Sequence, residues 1–227
     1  MTQELQHEPY QKPDAALPPG EIALAVCLSL VLIGIKWLNL APFSWLETGA
    51  FISGGVCVWL IVRQNIWNWP IGIANSVIFA FVFWQSRLFA DMGLQGVYVV
   101  LGVVGWYAWL HGGQQRQPLK VQRAPRWLLG VVVVAVVLGT ILMKWHLTRM
   151  GGAAPLWDAL TTSLSLAAQY LLTRKFLENW AFWILADLIY IPLYWSRGLM
   201  LTSVLYLVFL LLCVTGIQQW RRSMAER

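Results

Sequence analysis

The sequence predicts an all-α integral membrane protein with eight transmembrane helices. The 227 residues are 59% hydrophobic and only 11% charged, whereas soluble domains carry about 25% charged residues. Apolar runs of the length that crosses a bilayer, about 20 residues, recur along the chain with short polar connections between them. The predicted spans are 22–40, 46–63, 69–85, 91–111, 127–146, 157–173, 180–196 and 199–220.

The chain begins with a polar segment, residues 1–20, that contains four prolines and is predicted to be a flexible tail. Lys12 is offset there by Glu4 and Asp14, so the segment lacks the basic start of a signal peptide. Residues 21–44 are therefore expected to remain as an extra N-terminal transmembrane helix.

Basic residues predict the orientation of the spans. With eight spans both termini lie on the same side, which carries eleven Lys or Arg residues against five on the opposite side. The eleven are Lys12, Arg63, Arg116, Lys120, Arg123, Arg126, Arg174, Lys175, Arg221, Arg222 and Arg227; the five are Lys36, Arg87, Lys144, Arg149 and Arg197. Because basic connections stay in the cytoplasm, both termini, including the C-terminal tail 221–227, are expected there. The net charge of +6 thus reflects topology and does not indicate a nucleic-acid partner.

The chain matches itself, without gaps, when it is shifted so that Arg63 falls on Arg174. The same shift, called the repeat offset below, pairs Asn68 with Asn179, Trp69 with Trp180, Trp84 with Trp195, Gly105 with Gly216 and Trp109 with Trp220. Each copy holds three spans, in residues 45–111 and 157–220, and residues 112–156 supply a basic loop and a linker helix. Corresponding helices are four spans apart and run in the same direction. The sequence therefore predicts a parallel 3+1+3 repeat, an arrangement that SWEET transporters use.

Aromatic and polar residues share one face of the seventh span. Trp180, Trp183, Asp187, Tyr190 and Tyr194 are spaced by three or four residues, which places them on one side of a helix. Such a stripe alone would also fit helix packing, but a carboxylate deep inside a span usually faces a cavity or a partner. This face is therefore expected to line a site. The further candidate lining residues are Trp69, Asn75, Gln95, Tyr98 and Tyr206. Faces of the sixth and eighth spans also offer Thr161, Ser165 and Phe209.

Flat aromatic walls, amides, hydroxyls and one carboxylate suit a planar, polar ring, including a cationic one. Cys27, Cys57 and Cys213 lie in apolar runs and the three histidines are scattered, so no metal site is expected. No nucleotide-binding or hydrolase motif is present, and no cofactor is expected. A membrane-embedded enzyme would need paired carboxylates or a nucleophile with a base, and only Asp187 lies deep in a span.

Two stretches carry a family resemblance. NIWNWPIGIANSVIFAFVFWQSRLFADMGLQGVYVVLGVVGWYAW, residues 65–109, resembles the first half of the PnuC vitamin transporters, and TRKFLENWAFWILADLIYIPLYWSRGLMLTSVLYLVF, residues 173–209, is similar to the second half. The resemblance covers about residues 46–222. It implies a bacterial inner-membrane carrier of nicotinamide riboside with a SWEET-like fold, assembled as a homotrimer. It also implies facilitated diffusion, with uptake driven by phosphorylation of the substrate inside the cell.

The resemblance gives each candidate residue a part in binding. It implies that Trp69, Trp180 and Trp183 wall the pyridinium ring and that Asn75 and Gln95 read the carboxamide or the ribose. The polar lining is completed by Tyr98, Tyr190 and Tyr206.

Asp187 is expected to balance the charge of the ring or to bind ribose hydroxyls. This chain also departs from its relatives here, since others have Asn near this position; Phe89, where many have Tyr, is a smaller change. Relatives carry thiamine, riboflavin or deoxynucleosides as well, so thiamine stays open as an alternative cargo. A sugar carrier of the SWEET type and a membrane-embedded enzyme are more distant alternatives.

Overall fold

The computed structural model describes residues 17–40, 45–85, 89–151, 154–196 and 200–226, which form eight α-helices and one short 3₁₀ helix. The α-helices are α1 Pro19–Trp37, α2 Trp45–Val62, α3 Asn68–Gln85, α4 Phe89–His111, α5 Arg126–Arg149, α6 Pro155–Thr173, α7 Asn179–Ser196 and α8 Met200–Ala225. The 3₁₀ helix is Gln114–Arg116, in the connection between α4 and α5.

Each α-helix coincides with one predicted span to within a few residues, so the all-helical prediction is confirmed. Pro19 and Pro155 occupy the first turns of α1 and α6, where the missing N–H has no intrahelical partner to lose. Pro19 and Gly20 thus belong to α1, while residues 1–16 of the predicted tail lie outside the described residues. At the other end, α8 continues to Ala225 because glutamine and arginine favour the helix beyond the apolar run.

Four of the described helical segments are long and apolar enough to cross a membrane. They are Pro19–Trp37, Met92–His111, Arg126–Arg149 and Thr202–Ala225. The outermost helices expose their apolar side chains: none of the residues of α1 is buried, and only Val132, Val136 and Thr140 are buried on α5. Continuous apolar surface of this kind is unfavourable in water and fits a lipid environment.

The helices pack as two similar groups. α3 packs against α4 and α2, and α7 packs against α8 and α6. The groups meet twice, because α2 contacts α8 and α4 contacts α6. The linker helix α5 lies on α6, and α1 lies on α2. The repeat offset relates α2 to α6, α3 to α7 and α4 to α8, so the two contacts between the groups are equivalent.

The turns before α3 and α7 share one backbone conformation. Gln64 and Lys175 both have φ 55°, a left-handed value that ends the preceding helix. Their N–H groups donate to Ile61 and Leu172 over the same distance, 2.9 Å. One turn later Asn68 and Asn179 each donate from Nδ2 to a carbonyl three residues earlier, at 2.6 Å in both cases.

Two buried tryptophans join the groups by reciprocal hydrogen bonds. Trp109 Nε1 donates to the carbonyl of Leu172 at 3.0 Å, and Trp220 Nε1 donates to that of Ile61 at 3.2 Å. The repeat offset relates both the donors and the acceptors. Each carbonyl already accepts from the N–H of the turn residue Lys175 or Gln64, so the indole supplies a second hydrogen bond at the C-terminal end of the helix.

The basic connection between α4 and α5 is fixed to the turn between α6 and α7. Gln122 pairs with Phe176 as an isolated parallel bridge, and the N–H of Leu177 donates to the carbonyl of Gln122 at 2.9 Å. The N–H of Ala124 donates to the Glu178 carboxylate at 2.8 Å. The linker segment is therefore ordered where it passes the second group.

Candidate functional site

Three tyrosines and a phenylalanine meet between α7 and α8. The ring centroids of Tyr190 and Tyr206 are 4.5 Å apart, and Tyr194 lies 5.5 Å from the first and 5.3 Å from the second. Phe209 meets Tyr206 edge to face at 5.6 Å. The four residues are called the tyrosine cluster below. Spacings of three and four residues on both helices bring these rings together.

Hydroxyl groups from α4 and α6 extend the tyrosine cluster. Tyr190 interacts with Thr161 and Ser165, and Tyr98 of α4 interacts with the same Ser165. Thr161 and Ser165 are buried, at 1% and 3% exposure, and lie one turn apart on α6. The Ser165 hydroxyl therefore connects two of the predicted lining residues, Tyr98 of α4 and Tyr190 of α7, through α6.

Asp187 lies on α7 one turn before Tyr190. Its side chain is buried, at 2% exposure, and its Oδ2 accepts a hydrogen bond from Cys213 Sγ at 3.7 Å. It also interacts electrostatically with Tyr190 and Tyr206. Asp187 is therefore the charge-bearing group beside the tyrosine cluster. Burial of an ionised carboxylate is costly, and a nearby cation or strong hydrogen-bond donors offset that cost.

Helix α3 supplies the side-chain amide of Asn75. Asn75 Oδ1 accepts a hydrogen bond from Ser53 Oγ of α2 at 3.2 Å, so the position of this side chain is held by the neighbouring helix. Gln95, on α4, is half-buried and lies one turn before Tyr98. Trp183, also half-buried, contacts both of the apolar cores of the bundle and so lies at their junction.

Trp69 and Trp180 lie in a different part of the bundle. Trp69 meets Trp109 at 5.4 Å, Trp109 meets Trp220 at 6.1 Å, and Trp220 meets Trp180 at 5.3 Å, all edge to face. The exposure of Trp69 is 3% and that of Trp180 is 1%. Ten residues of α7, or about 15 Å, separate Trp180 from Tyr190. The structure therefore does not bring these two tryptophans to the tyrosine cluster, and their part in binding stays a prediction.

The two groups share the conformation of one turn but differ in lining chemistry. Tyr98 interacts with Ser165 where α4 meets α6, and the pair related to them by the repeat offset is Phe209 and Gly54, where α8 meets α2. A Cβ on Gly54 would lie 3.0 Å from Cζ of Phe209, so this contact is close and apolar. One side of the junction is thus polar and the other is aromatic, which suits a ligand with two unlike faces.

Two residues of this arrangement, Cys213 and Ser53, were not among the predicted lining residues; they orient Asp187 and Asn75. Thr161, Ser165 and Phe209, which complete the hydroxyl and ring contacts, lie on the predicted faces of the sixth and eighth spans. The spacing of Thr161 and Ser165 is the sequence signal for these two hydroxyls. Small hydroxyl residues are common in helix packing, so that signal has little specificity.

Comparison with known proteins identifies the family. Residues 44–222 match the family described as nicotinamide mononucleotide transporter. The nicotinamide riboside transporter PnuC of Escherichia coli K12 is 28% identical over 211 residues, covering 81% of this chain and 88% of that protein. PnuC of Neisseria mucosa is 29% identical over 210 residues, covering 85% of this chain and 79% of that protein.

Two further similarities bear on fold and cargo. The riboflavin/roseoflavin transporter RibM of Streptomyces davaonensis is 25% identical over 197 residues, covering 82% of this chain and 92% of that protein. The crystal structure of a vitamin B3 transporter PnuC superimposes with a TM-score of 0.70 at 25% identity, covering 93% of this chain and 94% of that one. This chain is therefore a multi-pass membrane protein that belongs to the nicotinamide mononucleotide transporter family.

Proposed function

We propose that this protein carries nicotinamide riboside across the bacterial inner membrane. Membership of the family and the likeness over most of the chain to proteins named nicotinamide riboside transporters support this cargo. The observation that carries the proposal at residue level is the junction of Asp187, the tyrosine cluster and the hydroxyls of α6. Nicotinamide riboside presents a flat cationic ring, a carboxamide and ribose hydroxyls, and these groups match that junction.

In the proposed site, the ring lies between Trp183 and the tyrosine cluster, with Asp187 near its positive charge. Aromatic faces attract cations by about 0.5–2 kcal/mol, and more when water is excluded. Asn75 and Gln95 read the carboxamide or the ribose, and Tyr98 contributes a hydroxyl held by Ser165. Trp69 and Trp180 are proposed to contact the pyridinium ring when the substrate passes the end of the bundle where Trp109 and Trp220 lie.

The transport path is proposed to follow an axis between two parallel three-helix repeats, α2–α4 and α6–α8, with α5 as the linker of a SWEET-like 3+1+3 arrangement. The equivalent turns, the reciprocal tryptophan bonds and the paired contacts between the groups support this arrangement. α1 is the additional helix, which brings the number of spans to eight with both termini in the cytoplasm.

Transport is proposed to be facilitated diffusion, with phosphorylation of the substrate inside the cell driving net uptake, in a homotrimer. Binding and release at one central junction need no covalent step, and the polar groups described there serve recognition. The protein is accordingly proposed to be a carrier and not an enzyme.

Riboflavin is a second candidate cargo, and the similarity to RibM favours it. Riboflavin is also a flat heterocycle with a polyhydroxyl side chain, but it is uncharged and larger. Asp187 therefore separates the two candidates, because a buried carboxylate benefits from a cationic ring and gains little from a neutral one.

Calorimetric titration of the purified protein tests the proposal. Nicotinamide riboside, thiamine and riboflavin are titrated separately into the same preparation. Saturable heat with nicotinamide riboside at the lowest concentration is the expected result. Tighter binding of riboflavin or thiamine would keep the fold and assign the protein to that vitamin instead.

A further inference from the structure

A cavity of about 400 Å³ lies away from the candidate site, between α1, α2 and α8. Its walls are mainly apolar. α1 contributes Leu24, Leu28 and Leu32, and the opposite walls include Ile52 of α2 and Leu212 of α8. The volume falls in the range of small-molecule sites, about 300–1,000 Å³.

The length of the cavity matches one leaflet of a bilayer. On α1 its lining runs from Glu21 to Leu32, and on α8 it runs from Val208 to Gln219. Each stretch advances eleven residues along a helix, which is a rise of about 16 Å. Half of a hydrocarbon core of about 30 Å is about 15 Å. The cavity thus extends from one end of the helices to the middle of the membrane.

The charged groups that line the cavity are at one end, while the Ser29 and Thr215 hydroxyls further along donate to carbonyls of their own helices. Glu21 accepts hydrogen bonds from Trp59 Nε1 at 2.9 Å and from Arg63 Nε at 2.8 Å, and it forms an ion pair with Arg63. Gln219 lines the same end, and the exposed Arg222 lies one turn further along that side of α8. Because Arg63 is paired with Glu21, the net positive charge at this end comes from Arg222, which lies just beyond the lining residues.

The cavity also has room for an added group. A Cβ built on Gly55, which lines the cavity from α2, meets no other heavy atom within 4 Å. Side chains of the described residues therefore leave this part of the bundle unfilled. Apolar chains of the surrounding membrane have the chemistry to fill it.

We propose that this cleft binds one anionic phospholipid, with an acyl chain between α1, α2 and α8 and the phosphate at Arg63 and Arg222. The leaflet length, the apolar walls and the basic end all fit such a lipid. Basic pockets between transmembrane helices on the cytoplasmic side recognise anionic head groups. The lipid fastens the N-terminal helix α1 to the helices of both groups.

The test uses the full chain, purified and freed of lipid, with phosphatidylglycerol as the probe and phosphatidylethanolamine as the comparison lipid. Native mass spectrometry and thermal unfolding are recorded together. We expect one bound phosphatidylglycerol per chain and a higher Tm, with a smaller effect of phosphatidylethanolamine. Equal effects of the two lipids would overturn the assignment of an anionic head group.

Matched variants localise the effect. Gly55→Phe fills the cleft and is expected to abolish the bound lipid, whereas Gly130→Phe, at an open position on α5, leaves it unchanged. Ala25→Phe fills the cleft from α1 and serves if Gly55→Phe does not fold. Arg222→Gln is expected to weaken the binding of phosphatidylglycerol by about fivefold, the effect of one basic residue. Arg221→Gln, on a different side of α8, serves as its control.

Retention of the lipid in both cleft-filling variants would overturn the proposal. So would a change of oligomeric state in those variants with lipid binding unchanged, since the cleft would then hold a second copy of the chain. None of these residues belongs to the candidate substrate site. A titration with nicotinamide riboside on the same preparations therefore separates failure of this inference from failure of the proposed cargo.

Discussion

Asp187 is the residue that most clearly links the structure to the chemistry of the proposed cargo. It is buried on α7, and a thiol and the tyrosine cluster surround it. A buried carboxylate is expensive to retain without a partner, so its position where α7 meets α8 is informative. The positive ring of nicotinamide riboside is the partner that the proposal supplies.

Replacement of Asp187 by Asn tests that pairing. Asp187→Asn keeps the shape and removes the charge. It is expected to weaken the binding of nicotinamide riboside by about 10- to 100-fold, because charge–charge attraction is lost and each tenfold corresponds to about 1.4 kcal/mol. The measurement is calorimetric titration. The reduced, uncharged form of the same riboside is the matched control and is expected to bind the variant and the original protein alike. Equal losses for both forms would assign Asp187 to the ribose hydroxyls instead.

The hydroxyl bridge on α6 makes a second prediction. Ser165→Ala removes the group that Tyr98 and Tyr190 share, and it is expected to weaken substrate binding by about fivefold, since a neutral hydrogen bond contributes about 1 kcal/mol. Tyr170→Phe also removes a hydroxyl, but at the outer side of α6, and is expected to change nothing. An unchanged affinity in Ser165→Ala would make the bridge part of helix packing only.

Sequence reasoning at this scale identified the faces of helices better than the contacts between them. A spacing of three and four residues places Trp180 and Tyr190 on one face of α7, and both lie on that helix in the structure. The same spacing does not say how deep each residue lies or which helix it meets. For that reason the sequence did not show that Trp180 packs against Trp220, away from the tyrosine cluster.

Among the elements, the tryptophans and glycines at the ends of α3, α4, α7 and α8 define how the helices pair. Trp69 lies over Gly105 and Trp180 lies over Gly216, so each glycine lets a helix approach an indole ring closely. The preference for small residues at close helix contacts is a general feature of membrane proteins. The internal match was visible in the sequence because these less common residues recur together at one offset.

Substitution of either glycine tests the equivalence of the two helix pairs. A Cβ at Gly105 would overlap the Trp69 ring, and one at Gly216 would lie 2.5 Å from the Trp180 ring. Gly105→Ala and Gly216→Ala are each expected to destabilise the protein by about 1–3 kcal/mol, the usual effect of overpacking. Thermal unfolding in detergent measures this. Gly130→Ala, where the added Cβ meets nothing, is the control, and a similar loss there would point to a general effect of the substitution.

The helices themselves were predictable because hydrophobic length decides them. The bounds of α3 and α7 agree with the predicted spans to within one residue at each end. The largest difference is at α8, which runs five residues past the apolar segment into Ala225. Gln and Arg at that end have helix propensities close to that of Leu, so hydropathy alone does not mark where α8 ends.

At the scale of the whole molecule, several local features recur at the repeat offset while the lining residues differ. The turns, the tryptophan bonds and the contacts between groups recur at the repeat offset, whereas Tyr98 and Ser165 are replaced by Phe209 and Gly54 on the other side. In the proposed transport path, the unlike linings are expected to give the substrate one orientation.

The proposed orientation makes a separate prediction about the whole chain. Green fluorescent protein fused after Arg227 is expected to be fluorescent in bacterial cells, and alkaline phosphatase fused at the same point is expected to be inactive. Both results follow from a cytoplasmic C-terminus, because the first protein folds there and the second does not mature there. The positive-inside distribution is the physical reason. The reverse pattern of signals would place the termini outside and invalidate the eight-span orientation.

Counterflow in proteoliposomes tests the central claim most directly. Vesicles containing the purified protein are loaded with unlabelled nicotinamide riboside and diluted into labelled substrate, with no ion gradient and no nucleotide. The proposed carrier predicts transient accumulation of label, which Trp183→Ala abolishes by removing one wall of the ring site. Absence of accumulation in the original protein, or accumulation only with an imposed ion gradient, would contradict facilitated diffusion of this substrate.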